Sequence, residues 1–290
     1  MTDYTWQDTV DLVDLRALLA DVSAVDGRPS LPDGHGVPGE YRGGTYLLAR
    51  RDGMLVGGVH LNSSAVAELV VLPAARHAGI GTELAGRLLA KAGVDSVRFW
   101  AHGDQPAAAA LAAHFGFRRV RTLCRLRRDL TDDLPAAPLP AGIRVRPFVS
   151  GRDEDAVTEV NRLAFAWHPE QGAMTAADVR AAEAESWFDA AGFLLAVDGG
   201  DRIVGFHWTK VHPDAGDGRP IGEVHVIGIR PDAQGGGLGR ALTIAGLRHL
   251  RERCGMDRVM LYAESDNAPA LAVYERLGFT LWDADVQYAH

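Results

Sequence analysis

A cluster of glycines between an apolar segment and a helical pattern is the feature of this sequence best suited to chemistry. Residues 223–240 read as a strand, a turn, four glycines within five positions, and the start of a helix. Glycines at a helix start let backbone N–H groups approach an anion closely, and the helix dipole favours negative charge there. The segment therefore predicts a site for a phosphate-bearing ligand. A tight helix entry without any ligand is the alternative.

A weaker copy of this segment occurs earlier in the chain. Residues 76–81 read Arg-x-x-Gly-x-Gly and residues 234–239 read Gln-x-x-Gly-x-Gly, an offset of 234 − 76 = 158. Neither copy is a P-loop, because no Lys-Ser/Thr pair follows the glycines, and neither gives a dinucleotide-binding fingerprint. Two matched copies indicate a repeated architecture rather than a chance glycine cluster.

The elements that must position these loops also repeat. A second pair of motifs, at residues 99–117 and 261–279, matches at an offset of 278 − 116 = 162, and a predicted pair of hairpin strands precedes the central strand in each half. Each half reads helix, strands, central strand, glycine loop, helix, strand, helix and last strand. This order predicts an α+β fold in which a mixed, mostly antiparallel sheet is flanked by helices.

Three prolines divide the chain near its middle. They lie within residues 131–142, a stretch that cannot continue a helix or a central strand and is typical of a linker. The predicted domains are residues 1–134, here called the first half, and residues 141–290, the second half. A chain of 290 residues is long enough for two such domains.

Composition limits the classes of partner. The net charge of −8 argues against general nucleic-acid binding, and no signal pattern or membrane-length apolar run occurs. Two cysteines in different halves argue against a disulfide framework, so we expect a cytoplasmic protein without a membrane partner. His207, His212 and His225 lack the spacing of a ligand set, so we expect no metal.

The motifs resemble those of the GNAT family of acyl-CoA N-acyltransferases. The resemblance rests on [Arg/Gln]-x-x-Gly-x-Gly after a strand and on Asn267-x-x-Ala-x-x-x-Tyr274-x-x-x-Gly-Phe after the next strand. It implies that acetyl-CoA is the acetyl donor, with its pyrophosphate on the loop amides and its pantetheine arm along the preceding strand. The coenzyme contacts implied are Ile227, Gly228, Ile229, Gln234, Gly235, Gly236, Gly237, Leu238, Gly239, Arg240, Asn267 and Ala270 in the second half, and Val70, Val71, Leu72, Ala78, Gly79, Ile80, Gly81, Thr82 and Glu83 in the first.

Longer segments of the second half, at residues 161–172, 187–189 and 205–213, narrow the resemblance. They look like the tandem branch of this family that acetylates the cysteinyl amine of cysteinyl-glucosaminyl-inositol, the last step of mycothiol synthesis. Two alternatives stay open. One is a tandem GNAT enzyme for another amine, such as an aminoglycoside or a peptide N-terminus, and the other is a non-enzymatic acyl-CoA-binding module.

Two side chains carry the chemistry that the resemblance implies. Glu223 is the candidate base, because a carboxylate that reaches the amine directly or through water can remove its proton. Tyr274 is the candidate acid at the coenzyme sulfur. The alternatives are a solvated carboxylate at a strand end for Glu223 and a ring packed under its helix for Tyr274.

Further residues are implied as substrate contacts. They are Asp33, for which Glu40 is a possible substitute, and Glu170, Lys210, Glu223 and Tyr262. The alternatives are a solvated strand lysine for Lys210 and a turn residue beside a proline for Glu170.

The first half lacks the reacting groups. At the two offsets, Ala65 corresponds to Glu223 and Ala112 to Tyr274, and neither alanine can transfer a proton. We therefore expect the first half to be a non-catalytic partner that can still bind coenzyme. Because the tandem chain already contains the domain pair that many GNAT proteins form as dimers, we expect a monomer.

Overall fold

The computed structural model describes residues 1–27, 44–167, 171–215 and 217–290. In the first half, the strands and helices are β1 (Thr2–Gln7), α1 (Leu12–Asp26), β2 (Thr45–Arg51), β3 (Met54–Leu61), β4 (Val66–Val71), α2 (Ile80–Ala92), β5 (Arg98–Ala101), α3 (Pro106–His114) and β6 (Arg118–Asp129). In the second half they are β7 (Arg144–Pro147), α4 (Glu154–Ala164), α5 (Ala176–Glu183), β8 (Phe193–Val197), β9 (Ile203–His212), β10 (Ile221–Ile229), α6 (Leu238–Glu252), β11 (Arg258–Glu264), α7 (Ala268–Arg276) and β12 (Thr280–Ala289).

The described strands form one mixed sheet in the order β1-β2-β3-β4-β5-β12-β6-β11-β10-β9-β8-β7. Most neighbours are antiparallel, including the predicted hairpins β2–β3 and β8–β9, whereas β4–β5 and β10–β11 are parallel and are joined through α2 and α6. A parallel pair needs such a helical crossover, which explains the change in pattern at each glycine loop. The predicted α+β fold is confirmed.

The last strand of each half is exchanged with the other half. β6 of the first half pairs with β11, and β12 of the second half lies between β5 and β6. The chain therefore has one continuous sheet in which each half is completed by a strand from its partner. The repeat in the sequence predicts the last strands but not this exchange.

Helices cover both faces of β9 and β10. α6 buries Leu238, Leu242, Leu247 and Leu250, which recur at helical spacing along one face, against these strands and β11. α4 covers the opposite face, together with the aromatic cluster that contains Phe193 and Trp208. The aromatic rings of this cluster are part of the hydrophobic core. Burying one leucine contributes roughly 1.5–3 kcal/mol, so α6 is fixed firmly on the sheet.

A β-bulge interrupts β10 beside the candidate base. The register with β9 skips a residue between Val224 and Val226, so His225 is the extra residue. Upstream of the bulge the halves therefore match at 223 − 66 = 157 rather than at 158, because Glu223 pairs with Met260 as Val66 pairs with Arg98. The assignment of Ala65 to this position was wrong by one residue; Val66 is equally unable to take a proton.

The packing of α6 on β9 predicts a specific stability defect. A Cβ at Gly246 would lie 2.1 Å from the buried ring of His207, whose Nδ1 is 2.8 Å from the Leu242 carbonyl oxygen. We expect Gly246→Ala to lower the free energy of unfolding by roughly 1–3 kcal/mol in urea denaturation. Gly86→Ala is the control, because this mid-helix Cβ would meet Phe115 at 3.7 Å. It should raise stability by up to about 1 kcal/mol, and equal effects of both variants would contradict the interpretation.

Candidate active site

The second-half glycine loop has the geometry of an anion site. Gly235 and Gly237 have φ of +86° and +81°, and no atom lies within 4 Å of a Cβ placed on either. Helix α6 begins at Leu238 without a side-chain cap, so its first N–H groups remain available to a ligand. Gln234 donates to the Ile229 carbonyl at 3.1 Å and Arg240 to the Ala136 carbonyl at 3.2 Å, which ties the loop to β10 and to the linker.

The first-half loop repeats this arrangement with one difference. Gly79 has φ of +78°, and α2 begins at Ile80, again without a side-chain cap. His77 occupies the position of Gly235 and has φ of +61°, in the left-handed region that is uncommon for residues other than glycine. The backbone of both loops is therefore shaped alike, although only the second has glycine at this point.

Parallel strands diverge at both loops. The pairing of β10 with β11 ends at Val224 and Leu261, although β10 continues to Ile229. The pairing of β4 with β5 likewise ends at Glu68 and Trp100. Diverging strands leave a slot where an extended ligand can lie against β10, as predicted for the segment 227–229.

Gly228 is required by the packing on the α4 side of the sheet. A Cβ there would lie 2.8 Å from the ring of Phe206 and 3.4 Å from the Ala164 side chain. Gly228 therefore makes room for an aromatic ring, and the bulge of β10 lies at His225.

The first-half slot opens into a cleft of about 780 Å³. Six of the residues predicted to contact coenzyme line it: Val70, Val71, Gly79, Ile80, Gly81 and Thr82. Leu72, Ala78 and Glu83 are not among the lining residues, and Glu83 instead pairs with Arg87 at 2.6 Å on the surface of α2. The strand and loop positions therefore line the cleft, the three flanking positions do not, and coenzyme contact stays a prediction for all nine.

The cleft also contains titratable groups that the comparison of the halves missed. His102 lies 2.9 Å from Glu68 and 3.7 Å from Asp285 of β12. Burial alone would lower the pKa of His102, but Glu68 and Asp285 raise it well above its usual value. An imidazolium held between carboxylates is a poor proton acceptor, so this group does not restore the function of the missing base.

Glu223 is buried and held by two histidines. It is 6% exposed; its Oε2 lies 2.5 Å from Nε2 of His212 and its Oε1 lies 3.3 Å from Nδ1 of His225. Burial alone would raise the pKa of Glu223, but the charges and hydrogen bonds of His225 and His212 hold it well below its usual range. Glu223 is thus an anion at neutral pH, and the alternative of a solvated strand-end carboxylate is wrong.

Tyr274 packs its ring into the core under α7. The residue is 7% exposed and its ring centroid lies 5.7 Å from that of Phe279. Burial raises the pKa of Tyr274 to about 12. The alternative interpretation, in which the Tyr274 ring packs under its helix, is therefore correct for the ring. The hydroxyl stays protonated at neutral pH and can donate a hydrogen bond, whereas full transfer of its proton to a thiolate is uphill by several pH units.

Lys210 and Tyr262 lie on the same sheet face as Glu223. Lys210 pairs with Glu223 across β9 and β10 and is buried, with Nζ 4.5 Å from the ring centroid of Trp187, so it is not a solvated strand lysine. Burial, with smaller contributions from Glu223 and Asp285, raises the pKa of Tyr262 to about 12 against the lowering effect of Arg125. The predicted contacts Asp33 and Glu170, and the substitute Glu40, lie outside the described residues.

Asn267 and Ala270 form the start of α7. The Asn267 side chain accepts a hydrogen bond from the Ala270 amide at 3.3 Å and caps the helix. A structural role is therefore established for this pair, and the coenzyme contact remains a prediction.

Sequence reasoning missed three residues of this face. His225 is two residues after Glu223 on one strand, and strand periodicity places such residues on the same side. His212 reaches Glu223 across the β9–β10 pair, which a hairpin register would have indicated. Arg125, which pairs with Tyr262 and lies with Cζ 4.0 Å from the Trp282 ring centroid, arrives on the exchanged strand β6 and gave no signal.

One grouping of possible metal ligands occurs among the described residues. Single ligand atoms of Asp189, His249 and Cys254 lie within 4.8 Å of one another. Nε2 of His249 is 2.7 Å from Oδ2 of Asp189, so a hydrogen bond accounts for the convergence of these two.

None of the described helices combines the length and apolar composition needed to cross a membrane.

Comparison with known proteins finds the same family in both halves of the chain. The model of the acetyltransferase (GNAT) family matches residues 20–117 and 157–279. A mycothiol acetyltransferase from Actinosynnema mirum is 54% identical, with 100% of both chains covered. A mycothiol acetyltransferase from Saccharomonospora viridis is 50% identical over 100% of this chain and 99% of the relative.

Two solved structures share the whole fold. A GCN5-related N-acetyltransferase from Sphaerobacter thermophilus has a TM-score of 0.70 at 23% identity, covering 99% of this chain and 95% of that one. A tandem GNAT protein from the clavulanic acid biosynthesis pathway has a TM-score of 0.68 at 19% identity, covering 100% and 98%. The tandem architecture is therefore found in chains of low sequence similarity.

The loop geometry predicts the effect of one added methyl group. At φ of +81°, Gly237→Ala should strain the loop by roughly 1–2 kcal/mol and weaken coenzyme A binding about tenfold in calorimetry. Gly255→Ala is a matched control, because Gly255 has φ of +69° and open space around its Cβ but follows the far end of α6. Equal affinity of both variants would show that the loop does not hold the coenzyme.

Proposed function

The chain belongs to the acetyltransferase (GNAT) family, and from this premise we propose that it transfers the acetyl group of acetyl-CoA to the cysteinyl amine of cysteinyl-glucosaminyl-inositol. The observation that carries the proposal is the buried anion Glu223, held beside the diverging end of β10. Full-length similarity to mycothiol acetyltransferases supports the choice of amine.

The reaction requires a neutral amine. The cysteinyl α-amine has a pKa of about 8, so at pH 7 most of it must lose a proton before it attacks. Glu223 supplies the negative charge that draws this proton away, directly or through an intervening group. The amine nitrogen then bonds to the thioester carbonyl carbon, the C–S bond breaks, and the coenzyme thiolate leaves with the electron pair.

Tyr274 serves the leaving group in this proposal. Its protonated hydroxyl donates a hydrogen bond to the departing thiolate. As the amide forms, the attacking amine loses one further proton. Overall this proton neutralises the departing thiolate, so that coenzyme A is released as the thiol. Because the pKa of Tyr274 is raised, we propose stabilisation by hydrogen bonding rather than complete proton transfer.

The loop and strand of the second half supply the coenzyme site. Amides of residues 235–240 face the pyrophosphate, and residues 227–229 pair with the pantetheine arm. Lys210 and Tyr262, together with Asp33 and Glu170, are proposed to bind the sugar–inositol part, which presents many hydroxyl groups.

The domains have unequal roles in the proposal. Residues 141–290 carry the reacting groups, and residues 1–134 bind acetyl-CoA without turning it over. The first-half cleft, with its uncapped helix start, supports binding. Val66 and Ala112, at the positions of the reacting groups, support the absence of chemistry. We propose a monomer, because the tandem chain supplies its own domain pair.

Removing the charge of Glu223 tests the proposed chemistry. We expect Glu223→Gln to lower kcat/KM for the amine by about 10²–10⁴-fold in a coenzyme A release assay, because proton removal by a positioned group contributes about that much. The coenzyme affinity should stay unchanged. Glu275→Gln, on the exposed side of α7, is the control and should behave as the unmodified protein. Turnover of the glutamine variant within a few fold of the control would contradict the role.

A panel of amines separates the candidate substrates. Cysteinyl-glucosaminyl-inositol should be acetylated with a higher kcat/KM than an aminoglycoside or a peptide with a free N-terminus. Exclusive turnover of another amine would replace the proposed substrate. Absence of turnover with every amine, combined with coenzyme A binding, would favour a binding module.

Calorimetric stoichiometry tests the division of roles. We expect two coenzyme A sites for each chain, one for each diverging strand pair. We also expect that Gly79→Val, which blocks the first loop, leaves one site and full turnover. Loss of turnover with the first loop blocked would contradict a non-catalytic first half.

A further inference from the structure

The Glu223 carboxylate lies between two imidazoles, and removal of a proton by Glu223 alone would not require these two partners. Both Glu223 oxygens are engaged, Oε2 by His212 and Oε1 by His225. The carboxylate is 6% exposed and its pKa is depressed, so a substrate has little direct access to it and it accepts a proton poorly. A group between the amine and Glu223 would solve both problems.

His225 is placed to be that group. It is the extra residue of the β10 bulge, and its side chain is 30% exposed, against 9% for His212. Its ring centroid lies 5.4 Å from those of Trp187 and Trp208, and both contacts are edge-to-face. Nδ1 faces Glu223, and Nε2 has no hydrogen-bond partner among residues 1–27, 44–167, 171–215 and 217–290.

Among the described residues, charged and polar groups on four strands surround Glu223 and His225. β10 contributes Glu223, and β9 contributes His212 and Lys210, whose ammonium lies on the Trp187 ring that His225 also contacts. On the other side of Glu223, β11 contributes Tyr262, which interacts with Glu223 and with Arg125 of β6. Of these groups, Glu223 is the anion that is hydrogen-bonded directly to the His225 ring.

We propose that His225 carries the proton from the substrate amine, with Glu223 as its anionic partner. Nδ1–H donates to Glu223, which leaves the lone pair on Nε2. Nε2 accepts one proton from the substrate ammonium, and the resulting imidazolium pairs with the Glu223 carboxylate. The neutral amine attacks the thioester, and His225 later releases the proton to water through its exposed edge. The inference rests on the proposed function and assigns the step between amine and carboxylate.

Chemical rescue distinguishes proton transfer from packing. His225→Ala should lower kcat/KM for the amine by about 10²-fold or more, with the affinity for coenzyme A unchanged. Added imidazole should restore activity in proportion to its free-base concentration, and imidazoles of different pKa should rescue to different degrees. His225→Phe keeps the aromatic contacts with the tryptophans but has no nitrogen. It should be as slow as His225→Ala and should unfold at a higher temperature than His225→Ala, because it keeps the ring packing while both variants lose the hydrogen bond to Glu223.

Controls make each outcome decisive. Imidazole should not rescue Glu223→Gln, because that variant keeps the imidazole and loses the anion. Full activity of His225→Phe would overturn the proposal, as would a slow His225→Ala that imidazole fails to rescue while thermal unfolding shows it folded. The assay uses whichever amine the unmodified protein acetylates. If the protein acetylates a different amine, the test of His225 therefore still applies. If it acetylates no amine at all, the proposed function itself is overturned.

Discussion

The site depends on the divergence of two parallel strands. β10 and β11 pair over only three residues, from Gly222 to Val224, before they separate. Parallel strands are held by evenly spaced hydrogen bonds, so their separation leaves an unpaired stretch of backbone beside a helix N-terminus. Everything proposed for the coenzyme uses these two features together, and the reacting carboxylate lies where the pairing still holds. The same divergence in β4 and β5 gives the first half its cleft.

Packing on both faces of the sheet holds β10 in place where its pairing with β11 has ended. α6 buries leucines against one face, and the aromatic cluster around Phe193 and Trp208 supports the other. The buried glycines Gly246 and Gly228 fit this picture, because each makes room for a ring, His207 and Phe206 respectively. A rigid strand keeps a buried charge at a fixed place, and two imidazoles are hydrogen-bonded to Glu223 there.

Local patterns in the sequence predicted most of the fold. Glycine spacing, strand alternation and the proline-rich linker were enough to predict the repeat, the hairpins and both helix starts. The sequence could not predict how distant segments pair. The bulge at His225 shifted the match from Ala65 to Val66 because one extra residue leaves no mark in composition. Arg125 reaches Tyr262 only because β6 crosses to the other half, a long-range pairing without a local signal. His225 was considered only as a metal ligand, although the period of two along a strand already places it on the same side as Glu223.

The exchanged strands also determine when the sheet of the first half can be completed during synthesis. Val286 of β12 pairs with Ala101 of β5, a separation of 286 − 101 = 185 residues, and β12 also separates β5 from β6. During synthesis the first half therefore exposes an open sheet edge at β5 until β12 has left the ribosome. Contacts this distant in sequence close slowly and couple the folding of the regions they join. The two repeats thus form one folding unit, and a cut at the proline-rich linker would leave each fragment without a central strand of its sheet.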